Sequence, residues 1–95
     1  MSHVSLRSLF LRHVAQTSAA PMGLEISCAE GVYLYTPDGQ RYIDLVSGVS
    51  VSNVGHSHPK VVAAVQRQAA QYMHLMVYGE YIQSPQVRLA QKLCA

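Results

Sequence analysis

The spacing of hydrophobic positions divides this chain into three stretches. Near the N-terminus, apolar residues recur at helical spacing over residues 6–14, which predicts a short amphipathic helix. From Leu24 to Leu45, apolar and polar residues alternate in short runs, as they do in strands. After Pro59 the helical spacing returns. The predicted fold is therefore α+β, with an N-terminal helix, a small antiparallel sheet and then two helices.

The predicted sheet is built around a turn, Thr36-Pro37-Asp38-Gly39. The proline presets φ at the second turn position, the aspartate can bond its own backbone, and the glycine tolerates positive φ. Val32 to Tyr35 is β-branched and aromatic, and Arg41 to Leu45 is predicted to be the returning strand. Upstream, Leu24 to Cys28 alternates with a period of two, and residues 29–31 would link that strand to the next. We therefore expect up to three strands.

Two proline signals mark the helices of the C-terminal half. Pro59 fits a first helical position, because its missing N–H costs nothing there. Ser84 is a good N-cap, and Pro85 follows it. Apolar residues then recur on one face of each predicted helix, namely Val61, Val62, Val65, Ala69, Tyr72, Met73 and Met76 on the first, and Val87, Ala90, Leu93 and Cys94 on the second.

Between the sheet and these helices, residues 47–55 are mostly small. Such residues let a backbone approach a ligand or another element closely, and the alternative is a plain connecting loop anchored by valines. His56 and His58 follow, and alternating histidines can chelate a metal. Two ligands are too few for a site, and the other histidines add no ligand spacing. We therefore expect no metal, and a small zinc-binding protein stays as the least favoured hypothesis.

Composition limits what a chain of 95 residues can do alone. It is 49% hydrophobic and only 13% charged, so several apolar faces compete for a small interior. This excess indicates that partner surfaces lie elsewhere, in further chain or in a second subunit. The formal charge of +2 is weak and scattered, which argues against a nucleic-acid partner.

The sequence also bears on location. No apolar stretch is long enough to cross a membrane, so we expect no membrane association. Cys28 and Cys94 have no motif spacing, which favours free thiols, a reducing compartment and a cytoplasmic protein. No acidic residue precedes Glu25, a composition also found in organellar transit peptides. We favour a helix of the mature protein for this N-terminal stretch.

Five short motifs stand in an order and spacing that resemble one enzyme family. They are Gly31-Val32-Tyr33-Leu34, Asp38-Gly39, Tyr42-Ile43-Asp44, Ser47-Gly48 and Gly55-His56-Ser57-His58-Pro59. Together they resemble the opening of the class III aminotransferases, which are fold-type I enzymes that use pyridoxal 5'-phosphate and include acetylornithine, ornithine and 4-aminobutyrate aminotransferases. The resemblance runs from about Leu9 to Leu93. It implies that residues 1–95 are a single incomplete N-terminal segment, without the large cofactor-binding domain.

The resemblance also implies what this segment lacks. In the family, the cofactor-binding lysine, the glycine-rich phosphate turn, the aspartate facing the pyridine nitrogen and the arginine for the substrate carboxylate all lie further downstream. Lys60 and Lys92 are the only lysines here, and each falls in a predicted helix. Without a placed amine nucleophile, transamination has no mechanism. We therefore expect the isolated chain to have no catalytic residue, to bind no cofactor and to be inactive. The alternative is a stand-alone oligomerising module that kept the segment's dimer-forming surfaces.

By the same resemblance, two parts of the segment would still touch function. Ser47, Gly48 and Val49 would lie on the substrate side of the pocket, where Val49 leaves more room than an aromatic residue. A second stretch would reach towards the partner subunit's active site in a homodimer, and it consists of Met76, Val77, Tyr78, Gly79 and Glu80. A substrate-side tyrosine of ornithine-type members is Ala19 or Ala20 here, which argues against ornithine. The complete enzyme would move an amino group from an ω-amino or related amino acid to a 2-oxo acid.

Overall fold

The structure is a computed structural model that describes residues 3–95, and it divides into two units. The first unit ends at His58 and contains α1 (Leu6–His13), β1 (Cys28–Glu30), β2 (Tyr33–Tyr35), β3 (Arg41–Ile43) and a four-residue turn with non-helical φ angles, α2 (Ser47–Ser50). The second unit, Pro59–Ala95, contains α3 (Pro59–Gln71) and α4 (Ser84–Leu93). This order confirms the predicted helix, sheet and two following helices.

The three strands form one antiparallel sheet in the order β1-β2-β3. At its centre, Leu34 is paired with Ala29 on one side and with Tyr42 on the other. The guanidinium carbon of Arg41 lies 4.5 Å from the centre of the Tyr33 ring, a cation–π contact between β3 and β2. The sheet is therefore a meander whose strands are all neighbours in sequence.

The turn between β2 and β3 has the predicted chemistry. The Gly39 N–H donates to the Thr36 carbonyl at 3.1 Å, and the Thr36 N–H donates to the Gln40 carbonyl at 2.9 Å. Gly39 has φ +88°, the conformation for which a glycine was expected. The Thr36 hydroxyl donates to the Asp38 carboxylate. Within residues 3–95, Thr36 is the one buried residue, so this turn is the most enclosed point of the described chain.

The first strand lies further along the chain than its alternation predicted. Residues 24–26 were expected to belong to this strand and do not, and Ser27 only donates its N–H to the Tyr35 carbonyl at 2.8 Å. Ala29 and Glu30, expected in the link, belong to β1. The actual link is Gly31-Val32, and Gly31 has φ +59° there. The returning strand also ends early, at Ile43. The reason is register, since β1 can pair only where β2 offers partners, and β2 is three residues long.

The helices begin near the two prolines as predicted, with small differences at their ends. The sequence predicts an apolar helix face that continues to Met76, but α3 ends at Gln71. The Gln68 side chain donates to the Tyr72 carbonyl at 3.1 Å, which satisfies a carbonyl that a continuing helix would have used. In α4 the N-cap is Gln83 rather than Ser84, since the Gln83 carbonyl accepts from the Val87 N–H at 3.1 Å.

The apolar side chains of the described chain are not enclosed. Within residues 3–95 no hydrophobic side chain is buried, and Leu45 and Ile82 expose 89% and 94% of their surface. The helical stripe predicted on α1 lines an open groove of about 640 Å³ with the segment from Pro21 to Ile26. None of the helices in residues 3–95 is long and apolar enough to cross a membrane.

Candidate functional site

The backbone of Ser47–Ser50 is left-handed. The φ angles of Ser47, Gly48, Val49 and Ser50 are +53°, +62°, +63° and +64°. Only the glycine adopts this region freely, and a β-branched residue such as Val49 is a true outlier there. Each such non-glycine residue costs of order 1–3 kcal/mol and persists only where its surroundings impose the conformation. The predicted loop of small residues is therefore a strained turn.

Backbone hydrogen bonds close this turn on itself. The Val46 carbonyl accepts from the Val49 N–H at 3.0 Å. The Ser47 carbonyl accepts two bonds, from the Val51 N–H at 2.8 Å and from the Ser52 N–H at 3.0 Å. The chain returns to negative φ by Val51, where φ is −99°. The left-handed conformation is thus confined to four residues.

The Asp44 carboxylate joins the turn to a loop twelve residues further along. Its Oδ1 accepts from the Ser47 N–H at 2.9 Å and from the Val46 N–H at 3.1 Å. Its Oδ2 lies 2.6 Å from Nε2 of His56. The Asp44 side chain is 10% exposed. The bond from the Ser47 N–H, followed by that from His56, holds the pKa of Asp44 below its ordinary value, so this carboxyl is charged at neutral pH.

His56 is itself fixed to the sheet. Its backbone pairs with Gly31 in an isolated antiparallel bridge, with N–H to carbonyl distances of 2.8 and 3.0 Å. The next residue, Ser57, donates its hydroxyl to the Ala29 carbonyl at 2.8 Å. The Asp44–His56 pair therefore connects a strained turn to a loop that is anchored on the β1–β2 link.

One of the two predicted site stretches, residues 47–49, lies in the left-handed turn. The structure adds Asp44 and His56 to this candidate site. Ser47, Gly48 and Val49 share the left-handed turn, and the Val49 side chain is 81% exposed. The sequence did not predict the contact of Asp44 with this turn, nor the contact of His56 with Asp44. Asp44 and His56 each belong to one of the five motifs, but nothing in the sequence indicated that their side chains bind each other.

The other predicted stretch lies in the second unit. Met76, Val77, Tyr78, Gly79 and Glu80 form an irregular segment between α3 and α4. Met76 is half-buried, and its carbonyl accepts from the Gln83 side chain at 3.4 Å. Val77 and Tyr78 expose 75% and 73% of their surface. The segment therefore presents an aromatic and an aliphatic side chain outward.

The lysines do not make a site for pyridoxal phosphate. Lys60 lies in the first turn of α3 and Lys92 in the last turn of α4, and both are exposed. The groove beside α1 has apolar walls and no lysine in its lining. Neither lysine of the described chain lines this groove, so the groove does not fit the cofactor. The described residues also contain no group of three His, Cys, Asp or Glu side chains placed to hold a metal ion.

The family of the chain follows from comparison with known sequences. Residues 14–95 match the family described as Aminotransferase class-III. The chain is a member of the class III aminotransferase family, as the motifs between Gly31 and Pro59 indicated.

Two relatives illustrate the similarity. The chain is 49% identical over 69 residues to a probable 4-aminobutyrate aminotransferase of Bacillus subtilis, covering 68% of this chain and 15% of that protein. It is 44% identical over 64 residues to the acetylornithine aminotransferase of Methanocaldococcus jannaschii, covering 67% of this chain and 16% of that protein. The chain thus spans about a sixth of the length of these relatives.

Solved structures place the fold in the same family. The chain matches the taurine:2-oxoglutarate aminotransferase of Bifidobacterium kashiwanohense, solved with PLP and glutamate, at a TM-score of 0.76 and 32% identity, over 98% of this chain and 22% of that one. It matches the acetylornithine aminotransferase of Elizabethkingia anophelis at a TM-score of 0.77 and 32% identity, over 90% of this chain and 21% of that one. The fold is the N-terminal part of the fold-type I aminotransferase architecture.

Because the chain spans so small a share of its relatives, its residues are best measured inside a complete enzyme. A suitable host is the acetylornithine aminotransferase of M. jannaschii, with its aligned segment replaced by the present one. We refer to this hybrid protein as the chimera. We expect the host part of the chimera to cover apolar side chains that are exposed in the segment.

The chimera allows a stability test of the hairpin turn. Gly39 and Gly79 both have open space where a Cβ would lie, but only Gly39 has positive φ. We expect Gly39→Ala to lower the free energy of unfolding by roughly 1–3 kcal/mol, because alanine is strained at that φ. Gly79→Ala is the matched control and should change it by less than about 1 kcal/mol. Urea unfolding measures both, and equal losses would contradict the assignment of strain to φ.

Proposed function

We propose that this chain is the N-terminal segment of a pyridoxal-phosphate-dependent transaminase. The complete enzyme moves an amino group from an ω-amino or related amino acid to a 2-oxo acid. The family match over residues 14–95 supports the reaction class. The names of the relatives, which include acetylornithine and 4-aminobutyrate aminotransferases, support amino donors of this kind. Family membership favours this role over a stand-alone oligomerising module.

In this proposal the Ser47–Ser50 turn forms part of the substrate side of the pocket. The observation that carries it is the strained backbone at Val49, a β-branched residue at φ +63° whose side chain is exposed. Strained residues cluster at active sites and ligand clamps, where the strained backbone is part of the mechanism. Val49 then contacts substrate, while Ser47 and Gly48 set its direction.

The segment from Met76 to Glu80 is proposed to contact the partner subunit of a cytoplasmic homodimer. Its support is the outward display of Val77 and Tyr78, because exposed aromatic and aliphatic side chains are typical of interface cores. The isolated chain is proposed to be inactive, since the catalytic groups of the family would come from the rest of the enzyme.

Activity of the chimera tests the proposed function. We expect the purified chimera to bind pyridoxal phosphate and to transaminate a panel of ω-amino donors with 2-oxoglutarate as acceptor. The unaltered host enzyme is the control, and it separates effects of the exchanged segment from those of the assay. A folded, cofactor-loaded chimera that turns over none of the donors would contradict the proposal.

A further inference from the structure

The Ser47–Ser50 turn needs an external restraint. Three of its four residues are not glycine and still have positive φ, so its own sequence favours other conformations. Its internal hydrogen bonds involve only residues 46–52, and residues so close in sequence can move together. A contact from outside this stretch is therefore required to select the left-handed form.

Asp44 supplies such a contact because its carboxylate is also bound to His56, twelve residues further along the chain. One carboxylate oxygen binds two consecutive N–H groups at the start of the turn, and the other binds His56. Hydrogen bonds to a charged group are shorter and stronger than neutral ones, and the 2.6 Å separation from His56 belongs to this class. His56 cannot follow the turn if it moves, because two backbone bonds hold it to Gly31.

We propose that Asp44 and His56 are positioning residues that hold the Ser47–Ser50 turn in its left-handed conformation and thereby fix the place of Val49 beside the substrate. The part about substrate rests on the proposed function; the part about the turn does not. Neither residue need touch substrate or cofactor. Loss of either contact lets the turn relax, and Val49 then leaves its position while the rest of the segment keeps its fold.

The substitutions that test this are small. Asp44→Asn keeps the shape and one acceptor oxygen but places an NH₂ group where a carboxylate oxygen stood. His56→Gln keeps a polar side chain but removes the imidazole. In the chimera, we expect each to shift the ratio of kcat/KM between a short and a long ω-amino donor roughly tenfold, the scale of one charge-assisted hydrogen bond. The double variant should shift it no further than the larger single, since the two residues act as one unit.

Relief of strain provides a second, independent measurement. Ser50 has positive φ and Ser52 has not, so Ser50→Gly makes the left-handed turn easier while Ser52→Gly adds similar freedom without relieving strain. Combined with Asp44→Asn, the Ser50→Gly change should restore most of the donor ratio, and the Ser52→Gly change should not. A merely structural role predicts a different result, namely a lower Tm and less active enzyme at an unchanged donor ratio.

Crystal structures of the chimera and of its Asp44→Asn variant separate the two proposals. If the chimera shows no transamination, the proposed function fails, but the φ angles of residues 47–50 still decide the role of Asp44. We expect all four to be positive in the chimera and at least Val49 to become negative in the variant. A variant that keeps the left-handed turn and the parental donor ratio overturns the inference. His56→Gln serves the same purpose if the Asp44→Asn protein does not fold.

Discussion

Replacement of Val49 by phenylalanine in the chimera is expected to lower kcat/KM for a long ω-amino donor far more than for a short one. Val49 lies at the exposed point of the left-handed turn, so a larger side chain extends into the space beside it. Phenylalanine is not β-branched and fits positive φ no worse than valine does. The effect is therefore one of bulk rather than of added backbone strain.

The size of this effect follows from pocket sterics. One methylene in a substrate pocket is worth roughly 1–3 kcal/mol in kcat/KM, and phenylalanine adds several carbons. We expect discrimination between the two donors to change at least about tenfold, with the affinity for pyridoxal phosphate unchanged because Val49 is proposed to face substrate only.

Val51→Phe is the matched control for this measurement. Val51 is also exposed and lies two residues away, but its φ of −99° puts it outside the left-handed turn. The same substitution there should leave the donor ratio close to its parental value. If Val49→Phe also leaves the ratio unchanged, Val49 is only an anchor of the loop and does not line the pocket.

The isolated chain should neither bind pyridoxal phosphate in a saturable way nor transaminate. Its two lysines lie in exposed positions on α3 and α4. Transamination needs an amine nucleophile placed against the cofactor and an electron sink held beside it. Transamination in the presence of the isolated chain should therefore be no faster than the uncatalysed reaction.

Borohydride trapping decides this prediction. The isolated chain and the chimera are each incubated with increasing pyridoxal phosphate, reduced, and digested for mass spectrometry. We expect a saturable pyridoxyl label in the chimera, on a lysine of the host, and only weak, unsaturated labelling of the isolated chain. Saturable labelling of Lys60 or Lys92 at low cofactor concentration would show that the segment holds a cofactor site of its own.

Local sequence chemistry was enough to locate the β2–β3 hairpin. Thr36 to Gly39 contains the residues that this turn needs at the positions where it needs them, and the flanking runs favour strands through their own side chains. Pro59 and Pro85 marked the helix starts for the same reason. Proline fixes its own φ and has no N–H to donate, so it suits the first turn of a helix. Such signals do not depend on what the rest of the chain does.

The first strand shows where local chemistry stops being sufficient. Leu24 to Cys28 alternates as a strand would, yet the observed strand begins only at Cys28, opposite Tyr35. A strand exists where a partner strand offers hydrogen bonds, and the alternation of a lone segment carries no information about that partner. The end of α3 at Gln71 is a similar case, since apolar residues continue past it at helical spacing.

By itself the sequence determined the family and the order of the elements, and it indicated the stretch from Ser47 to Val49 as part of a candidate site. Motif spacing and residue periodicity are properties of the chain, so these conclusions needed no coordinates. Only the tertiary structure decided the conformation of that stretch. Local preferences disfavour positive φ at Val49, so the left-handed turn depends on contacts with residues outside it. Asp44 supplies these contacts, and His56 holds Asp44 from a loop that the Gly31 bridge ties to the sheet.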